Sequence, residues 1–202
     1  DGGLDSEELE WNVIGIRTLE GDYLGFEVEF EREILRESFE IIDALVVPVD
    51  EYRGIDFELE FRSSSDRSLF GGIDLAYGDY YGGSSTRGEI DLSWRPSRFI
   101  QLDGEIDSTL ARLPQEDFEA VTGSLGLRVT PTTKLSFNGI AQYDNQSETI
   151  GLNFRIRYII QSGSDLFLVL NKGLEREEEG DRRSFRTTKT EAVAKLGWTF
   201  QF

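Results

Sequence analysis

Apolar and polar residues alternate one by one through most of this chain, and the final segment shows the pattern best. Alternation with a period of two puts one class of residue on each face of an extended strand, whereas a helix would require a period near 3.6. The final segment places four apolar residues on one face, and these are Leu196, Trp198, Phe200 and Phe202. The alternation therefore predicts an all-β chain.

The same pattern predicts eleven strands along the sequence. Most are longer than the five or six residues of a typical soluble strand, and they match the roughly 9–11 residues that a tilted strand needs to cross a bilayer. We therefore predict an antiparallel up-and-down transmembrane β-barrel with about 11–12 strands in this chain. The predicted strands lie near residues 8–19, 24–31, 55–62, 68–79, 86–95, 99–110, 119–130, 134–143, 150–160, 165–172 and 195–202.

The connections between the predicted strands alternate in length. Outer-membrane barrels have short periplasmic turns and longer outside loops, so this alternation favours a membrane barrel over a soluble sandwich. The short connections are at 20–22, 63–66, 96–97, 131–132 and 162–164, and the long ones are near 33–50, 80–86, 111–118, 144–148 and 173–187.

Aromatic residues gather near the ends of the predicted strands. Amphipathic rings at that height are typical of the girdles where a barrel meets the two membrane surfaces. Their abundance also fits the ordinary preference of aromatics for strands. The residues are Tyr52, Tyr77, Tyr80, Tyr81, Trp94, Tyr143, Tyr158, Trp198 and Phe202.

Composition excludes several classes of function. The net charge of -18 argues against a nucleic-acid partner, because phosphate binding requires a basic face. The chain has no cysteine and no histidine, which removes disulfides, thiolate metal sites, the commonest general base and the ordinary Ser-His-Asp triad. We therefore expect no enzyme activity, no catalytic residue, no metal site and no cofactor.

Charged residues on the polar faces of the strands are the candidate functional residues. In a membrane barrel these faces line the lumen, where opposed acidic and basic walls would orient and select solutes. Pairing among these charges is the simpler structural explanation. The predicted acidic residues are Asp56, Glu58, Glu60, Asp74, Asp91, Asp103, Glu105 and Asp107, and the predicted basic residues are Arg128, Arg155, Arg157 and Lys195.

Two further features of the sequence resemble known proteins. The ending Trp198, Phe200 and Phe202 resembles the C-terminal signal by which the barrel-assembly machinery recognises outer-membrane proteins. Longer segments resemble the C-terminal barrel of a family of uncharacterised bacterial proteins that join a carbohydrate-binding-like domain to a long barrel. This resemblance implies a bacterial outer membrane, and it rests on segments 46–48 with 51–52, 77–83, 92–97, 141–145 and 163–169.

An odd number of strands needs an explanation, because bacterial single-chain barrels have even numbers. Either residues 1–202 are the C-terminal part of a larger barrel, completed by other strands or a partner chain, or the apolar run Phe39–Val47 is a twelfth strand of a single small barrel domain. We favour the first arrangement. The run could also fold into the lumen, cap the barrel or dock a partner.

Three functions remain open from the sequence. The first is an outer-membrane pore or transport conduit with a charge-divided lumen, embedded in a lipid bilayer. The second is a barrel that conducts nothing and anchors or assembles with a partner chain. The third is a soluble all-β binding or fibre module whose apolar faces pack inside. The polar faces, which carry charges on most strands, favour the first.

Overall fold

The computed structural model describes residues 6–42, 45–179 and 182–198, and this part of the chain is built from β-strands. None of the described residues form a helix that could span a membrane. The thirteen strands are β1 (Ser6–Arg17), β2 (Tyr23–Ile34), β3 (Phe39–Ile42), β4 (Leu45–Val47), β5 (Glu51–Arg62), β6 (Leu69–Tyr80), β7 (Gly83–Ser97), β8 (Ile100–Arg112), β9 (Asp117–Val129), β10 (Leu135–Asp144), β11 (Thr149–Gln161), β12 (Ser164–Glu179) and β13 (Arg182–Trp198).

Eleven of these strands form one sheet in the order β1-β2-β5-β6-β7-β8-β9-β10-β11-β12-β13, while β3 and β4 pair only with each other. Each strand of the large sheet therefore lies beside its neighbour in that chain order, which is the up-and-down arrangement of outer-membrane barrels. The prediction of an all-β, antiparallel, up-and-down fold with eleven long strands is confirmed.

The first strand is irregular in sequence because it contains a β-bulge. The register of β1 against β2 shifts between Asn12 and Ile14, so that one extra residue is accommodated on β1. A bulge of this kind returns the following residues to the original face. Trp11 and Ile14 consequently share a face although they are three residues apart, and the simple alternation of the sequence is broken there.

Phe39–Val47 is not a twelfth strand of the large sheet, and that alternative is wrong. Phe39 pairs with Val47 and Glu40 with Val46, so the run folds back on itself as a separate β-hairpin. An apolar run predicts an ordered segment, but it does not show whether the segment joins a sheet or packs on one.

The predicted alternation of short and long connections is also wrong at several positions. Only Tyr81 and Gly82 separate β6 from β7, and both have positive φ, as a tight type I′ turn requires. Strand β12 continues to Glu179 and β13 starts at Arg182, where a long loop over 173–187 was predicted. The parts of β12 and β13 that extend into this predicted loop are rich in charge on both faces. They therefore have no apolar alternation that could indicate a strand.

The chain divides into two compact units. Unit 1 comprises residues 1–65, 71–90 and 107–120, and unit 2 comprises residues 66–70, 91–106 and 121–202. Unit 1 holds β1, β2, the β3–β4 hairpin, β5 and most of β6, whereas unit 2 holds β10 to β13. The prediction of a single domain is not tested by this division.

Few hydrophobic residues are buried in the described part of the chain. Five are buried, namely Val28, Leu45, Val47, Ala111 and Leu113, whereas forty large hydrophobic residues are exposed. A water-soluble sandwich of this length would bury most of its apolar strand residues between two sheets. The apolar side chains of this sheet instead stay exposed.

Candidate functional site

The strands of unit 1 align their apolar residues in four rows across one face, called here the apolar face. One such row crosses β1, β2, β5 and β6, where Trp11 lies opposite Val28, Val28 opposite Phe57, and Phe57 opposite Tyr77. On β5 the four apolar residues Ile55, Phe57, Leu59 and Phe61 are 39%, 46%, 43% and 42% exposed. The rows are Leu9-Phe30-Ile55, Trp11-Val28-Phe57-Tyr77, Ile14-Phe26-Leu59-Leu75 and Ile16-Leu24-Phe61-Ile73.

The opposite face of the same strands, called here the charged face, places carboxylates directly against each other. Glu29 of β2 pairs with Glu10 on one side and with Asp56 on the other. Glu27 pairs with Glu58, and Glu60 pairs with Asp74. Like charges directly opposite each other destabilise a sheet. Such a face therefore carries a concentrated negative potential that attracts cations.

Two arginines partly neutralise this face. Arg87 of β7 contacts Asp56, and Arg62 of β5 contacts Asp74, while Arg62 also lies 3.5 Å from Glu60. The Asp56 and Asp74 side chains are only 17% and 18% exposed. Ion pairs with this degree of burial hold their geometry better than surface pairs do.

Glycines on β6 make room for these charged groups. The register places Gly78 opposite Asp56 and Gly72 opposite Arg62. A Cβ atom at Gly78 would overlap the Asp56 carboxylate and the Ile55 carbonyl oxygen, and one at Gly72 would overlap the Arg62 guanidinium. Strand glycines often mark such close approaches. The cross-strand register, which the sequence does not show, explains both.

A group of charged side chains lies beyond the last apolar row of unit 1 on the apolar face. The Arg32 guanidinium contacts Glu7 at 3.3 Å and Glu51 at 2.8 Å, and Arg53 contacts Glu51 at 2.7 Å. Hydrogen bonds from Arg32 and then Arg53 lower the pKa of Glu51 from 4.5 to about 2. The apolar face therefore ends at a row of ion pairs, which marks its edge.

In unit 2 the polar residues form separate local contacts. Ser93 and Gln101 donate hydrogen bonds to the Asp103 carboxylate at 2.5 and 2.8 Å, and Arg157 pairs with Asp165 at 2.8 Å. Asn138 of β10 lies between Arg128 of β9 and Arg155 of β11 in the register. Arg128 and Arg155 therefore share a face.

Each predicted lumen residue within the described strands has at least one exposed apolar neighbour in the sequence. This holds for β5 (Asp56, Glu58, Glu60), β6 (Asp74), β7 (Asp91), β8 (Asp103, Glu105, Asp107), β9 (Arg128), β11 (Arg155, Arg157) and β13 (Lys195). Asp91, Asp103 and Glu105 belong to unit 2 along with the four basic residues, while the other five acids belong to unit 1. That these side chains line a lumen, with opposed acidic and basic walls, stays a prediction. Of the predicted assembly signal, Trp198 is exposed at the end of β13, while Phe200 and Phe202 lie outside the described residues.

The β3–β4 hairpin forms a cluster that the sequence did not predict. Leu45 packs with Ala111 and Leu113 and against Tyr80, Tyr81 and Phe118. Tyr52, Tyr80 and Tyr81 were predicted to belong to an interfacial girdle, which is wrong for these three. Tyr52 and Tyr80 alternate with exposed residues of β5 and β6, and Tyr81 lies in the turn after β6. All three pack against one another or against the hairpin instead. The one available signal was the apolar run Phe39–Val47.

Tyr81 is the most constrained residue of this cluster. Its φ of 44° lies in the left-handed region, which costs a non-glycine residue about 1–2 kcal/mol. Its ring makes edge-to-face contacts with Phe39, Tyr52 and Tyr80 at centroid distances of 5.3, 5.2 and 4.7 Å. Each such pair contributes about 0.5–1.5 kcal/mol, so the three contacts together offset the strain.

The Tyr81 hydroxyl donates a hydrogen bond to Glu33 at 3.2 Å. Burial, followed by the Glu33 charge, raises the pKa of Tyr81 well above its usual range, so the phenol stays protonated. Beside it lies a cavity of about 270 Å³ whose walls combine carboxylates, tyrosines and arginines; they include Glu29, Glu31, Glu33, Tyr52, Tyr80 and Arg87. No group of histidine, cysteine, aspartate or glutamate in the described residues is arranged to hold a metal ion.

Comparison with known proteins yields two solved structures. Over 97% of this chain and 92% of the other, the chain is similar to a KdgM porin in complex with disordered oligogalacturonate, with 10% sequence identity and a TM-score of 0.37. Over 97% of this chain and 94% of the other, it is similar to the NanC porin, with 8% identity and a TM-score of 0.40. TM-scores this low carry no argument about function.

No family model matches the sequence, and no curated protein matches it. The resemblance to barrels joined to a carbohydrate-binding-like domain is therefore not confirmed.

Proposed function

We propose that this chain forms the wall of a pore in the bacterial outer membrane, with the apolar face toward lipid and the charged face toward water. The observation that carries the proposal is the set of four aligned apolar rows on one face of unit 1, where most of the side chains are exposed. Outer-membrane strands alternate apolar residues toward lipid with polar residues toward the lumen in this way.

The energetic argument rests on the environment that each face requires. Monomeric soluble proteins rarely expose contiguous apolar patches beyond a few hundred Å², and each Å² of apolar surface kept from water is worth roughly 25 cal/mol. Four rows of Leu, Ile, Val and aromatic residues need a cover, and a lipid bilayer provides one without another protein. The paired carboxylates on the other face need water and counter-ions instead.

We further propose that the lumen prefers cations near the residues of unit 1. The direct pairing of Glu29 with both Glu10 and Asp56, and of Glu27 with Glu58, supports this preference. The basic residues Arg128, Arg155, Arg157 and Lys195 support a division of charge within the lumen, as proposed from the sequence. Lumen charges of this kind tune the selectivity of a pore.

The decisive experiment is to refold the chain in detergent, compare its gel mobility with and without boiling, and then record its conductance in a planar bilayer. We expect a heat-modifiable band and ion conductance with a cation preference. A folded species that stays monomeric in water without detergent would contradict the membrane assignment and favour the soluble all-β module.

A second candidate is a barrel that anchors or assembles with a partner chain and conducts nothing. The β3–β4 hairpin, which packs on the charged side of the sheet, is the observation that favours it. A heat-modifiable barrel with no conductance, co-purifying with a chain that supplies strands, would support this function. The barrel-assembly machinery is a proposed partner of either form.

A further inference from the structure

The β3–β4 hairpin is packed against the charged side of the strands rather than extended away from them. Tyr80 and Ala111 occupy positions on β6 and β8 that alternate with the exposed apolar residues Tyr77 and Leu110. Both contact the hairpin residue Leu45 or its buried cluster. In a barrel, this side of the strands is the inside, so the hairpin occupies part of the lumen.

The hairpin is held there by apolar contacts and by hydrogen bonds at its base. Leu45 and Val47 are 3% and 2% exposed, which makes them two of the five buried hydrophobic residues in the described chain. At the base, Tyr52 donates a hydrogen bond to the Pro48 carbonyl at 2.9 Å, and the Leu35 amide donates to the Asp50 carbonyl at 2.9 Å. β3 and β4 pair with each other and with no strand of the large sheet.

An element without sheet hydrogen bonds can swing away without breaking the sheet. Its release would expose Leu45, Val47 and their partners but leave every strand pairing of the large sheet intact. Strained residues such as Tyr81 persist only where their surroundings hold them, and they cluster at switch regions. Tyr81 contacts Phe39 of the hairpin through its ring and Glu33 of β2 through its hydroxyl.

From this geometry we infer that the β3–β4 hairpin is a gate that folds into the lumen, with Tyr81 as its latch. In the closed position the hairpin packs against Tyr80 and Tyr81, which line a cavity together with Glu29, Glu31 and Arg87. Opening exposes Leu45 and Val47 and widens the path. The inference rests on the proposed pore function.

The chain contains no cysteine, so an engineered disulfide can lock the gate. Leu45→Cys combined with Ala111→Cys joins two residues of the same buried cluster. We expect the oxidised double variant to show reduced single-channel conductance and no gating transitions, with both restored by a reductant. Leu45→Cys alone is the matched control and should not respond to oxidant or reductant.

The possible results separate the gate from the pore. A conducting barrel whose conductance is the same in the oxidised and reduced states would overturn the gate and leave the pore standing. A folded, heat-modifiable barrel that conducts in neither state would overturn the pore itself. Failure of the two cysteines to cross-link in a folded barrel would also overturn the gate, because the contact would be absent.

A second variant tests the latch without a cross-link. Tyr81→Asn keeps a residue that tolerates positive φ in the turn but removes the aromatic contacts. We expect a larger fraction of time in the open level and, combined with Leu45→Cys, faster labelling of that buried position by a membrane-impermeant thiol reagent. Unchanged gating and labelling would show that Tyr81 does not hold the hairpin.

Discussion

At the scale of single residues, neighbouring positions on β5 have opposite surroundings. Leu59 lies in the third apolar row beside Phe26 and Leu75, whereas Glu58 lies among Glu27 and Ala76 on the charged face. The alternation in the sequence predicted both positions, because strand side chains point to opposite faces by local geometry alone.

A charge on the lipid side should therefore cost far more than the same charge next to it. We expect Leu59→Arg to destabilise the folded barrel by about 2–4 kcal/mol, the cost of a basic side chain near the bilayer midplane. Reversible urea unfolding in lipid vesicles measures the change. Glu58→Arg is the matched control and should be nearly neutral or stabilising, since it relieves the repulsion from Glu27. Equal costs for the two variants would show that Leu59 does not face lipid.

Some residues have roles that the sequence did not predict. Gly72 and Gly78 carry no side chain that could mark a role, and only the pairing with Arg62 and Asp56 explains them. Tyr80 and Tyr81 look like interfacial aromatics in sequence, yet their rings contact the hairpin cluster. Which neighbour a residue meets depends on the register between its strand and the next, and the sequence does not show that register.

At the scale of elements, ion pairs border the apolar face on β1, β2 and β5. They join Glu7, Arg32, Glu51 and Arg53. Glu51 receives hydrogen bonds from both arginines, which hold its pKa at about 2. A carboxylate whose folded pKa is depressed stabilises the fold above its ordinary pKa of 4.5 and loses that contribution as pH falls toward the folded value.

Acid should therefore weaken this edge in a defined window. We expect Glu51→Gln to have a lower urea midpoint than the wild type above pH 4.5, and this difference to shrink as pH drops from 4.5 toward about 2, where the Glu51 carboxylate becomes protonated. Unfolding curves at several pH values measure the difference. Glu116→Gln, in the exposed β8–β9 connection, is the control and should follow the wild type. Identical profiles for all three proteins would mean that Glu51 is not held by the arginines in solution.

The long hairpin of β12 and β13 illustrates why element boundaries were harder to predict than elements. Their pairing continues from Ser164 opposite Trp198 to Glu179 opposite Arg182. The Arg186 and Glu177 side chains lie 3.5 Å apart across this extension. A strand with charged residues on both faces has no alternation of apolar and polar residues, so a hydrophobic pattern does not predict it.

At the scale of the whole molecule, the net charge of -18 and the paired carboxylates of unit 1 set the expected selectivity. Their field extends over roughly one Debye length, which is about 10 Å at 0.1 M salt and about 3 Å at 1 M. A wide lumen selects ions through this field more than through direct binding.

The cation preference should therefore weaken with salt. We expect the reversal potential under a salt gradient to indicate strong cation preference at low ionic strength and a weaker one near 1 M. Glu27→Gln combined with Glu58→Gln should reduce the preference at low salt. The control, Glu20→Gln combined with Asp66→Asn, removes the same charge from exposed turns and should change it less. An anion preference in the wild type would contradict the proposed lumen.

The sequence alone determined the number and order of the long strands and which residues share a face. Alternation is a local property of each segment and does not depend on its neighbours. The positions of Phe57 and Glu58 on opposite faces of β5 therefore follow from the sequence itself. Tertiary structure alone decided the register, the bulge in β1, the glycine gaps beside Asp56 and Arg62, and the packing of Leu45 on Ala111. Each of these depends on contacts between different segments, where several registers satisfy the same apolar pattern and side-chain packing selects one.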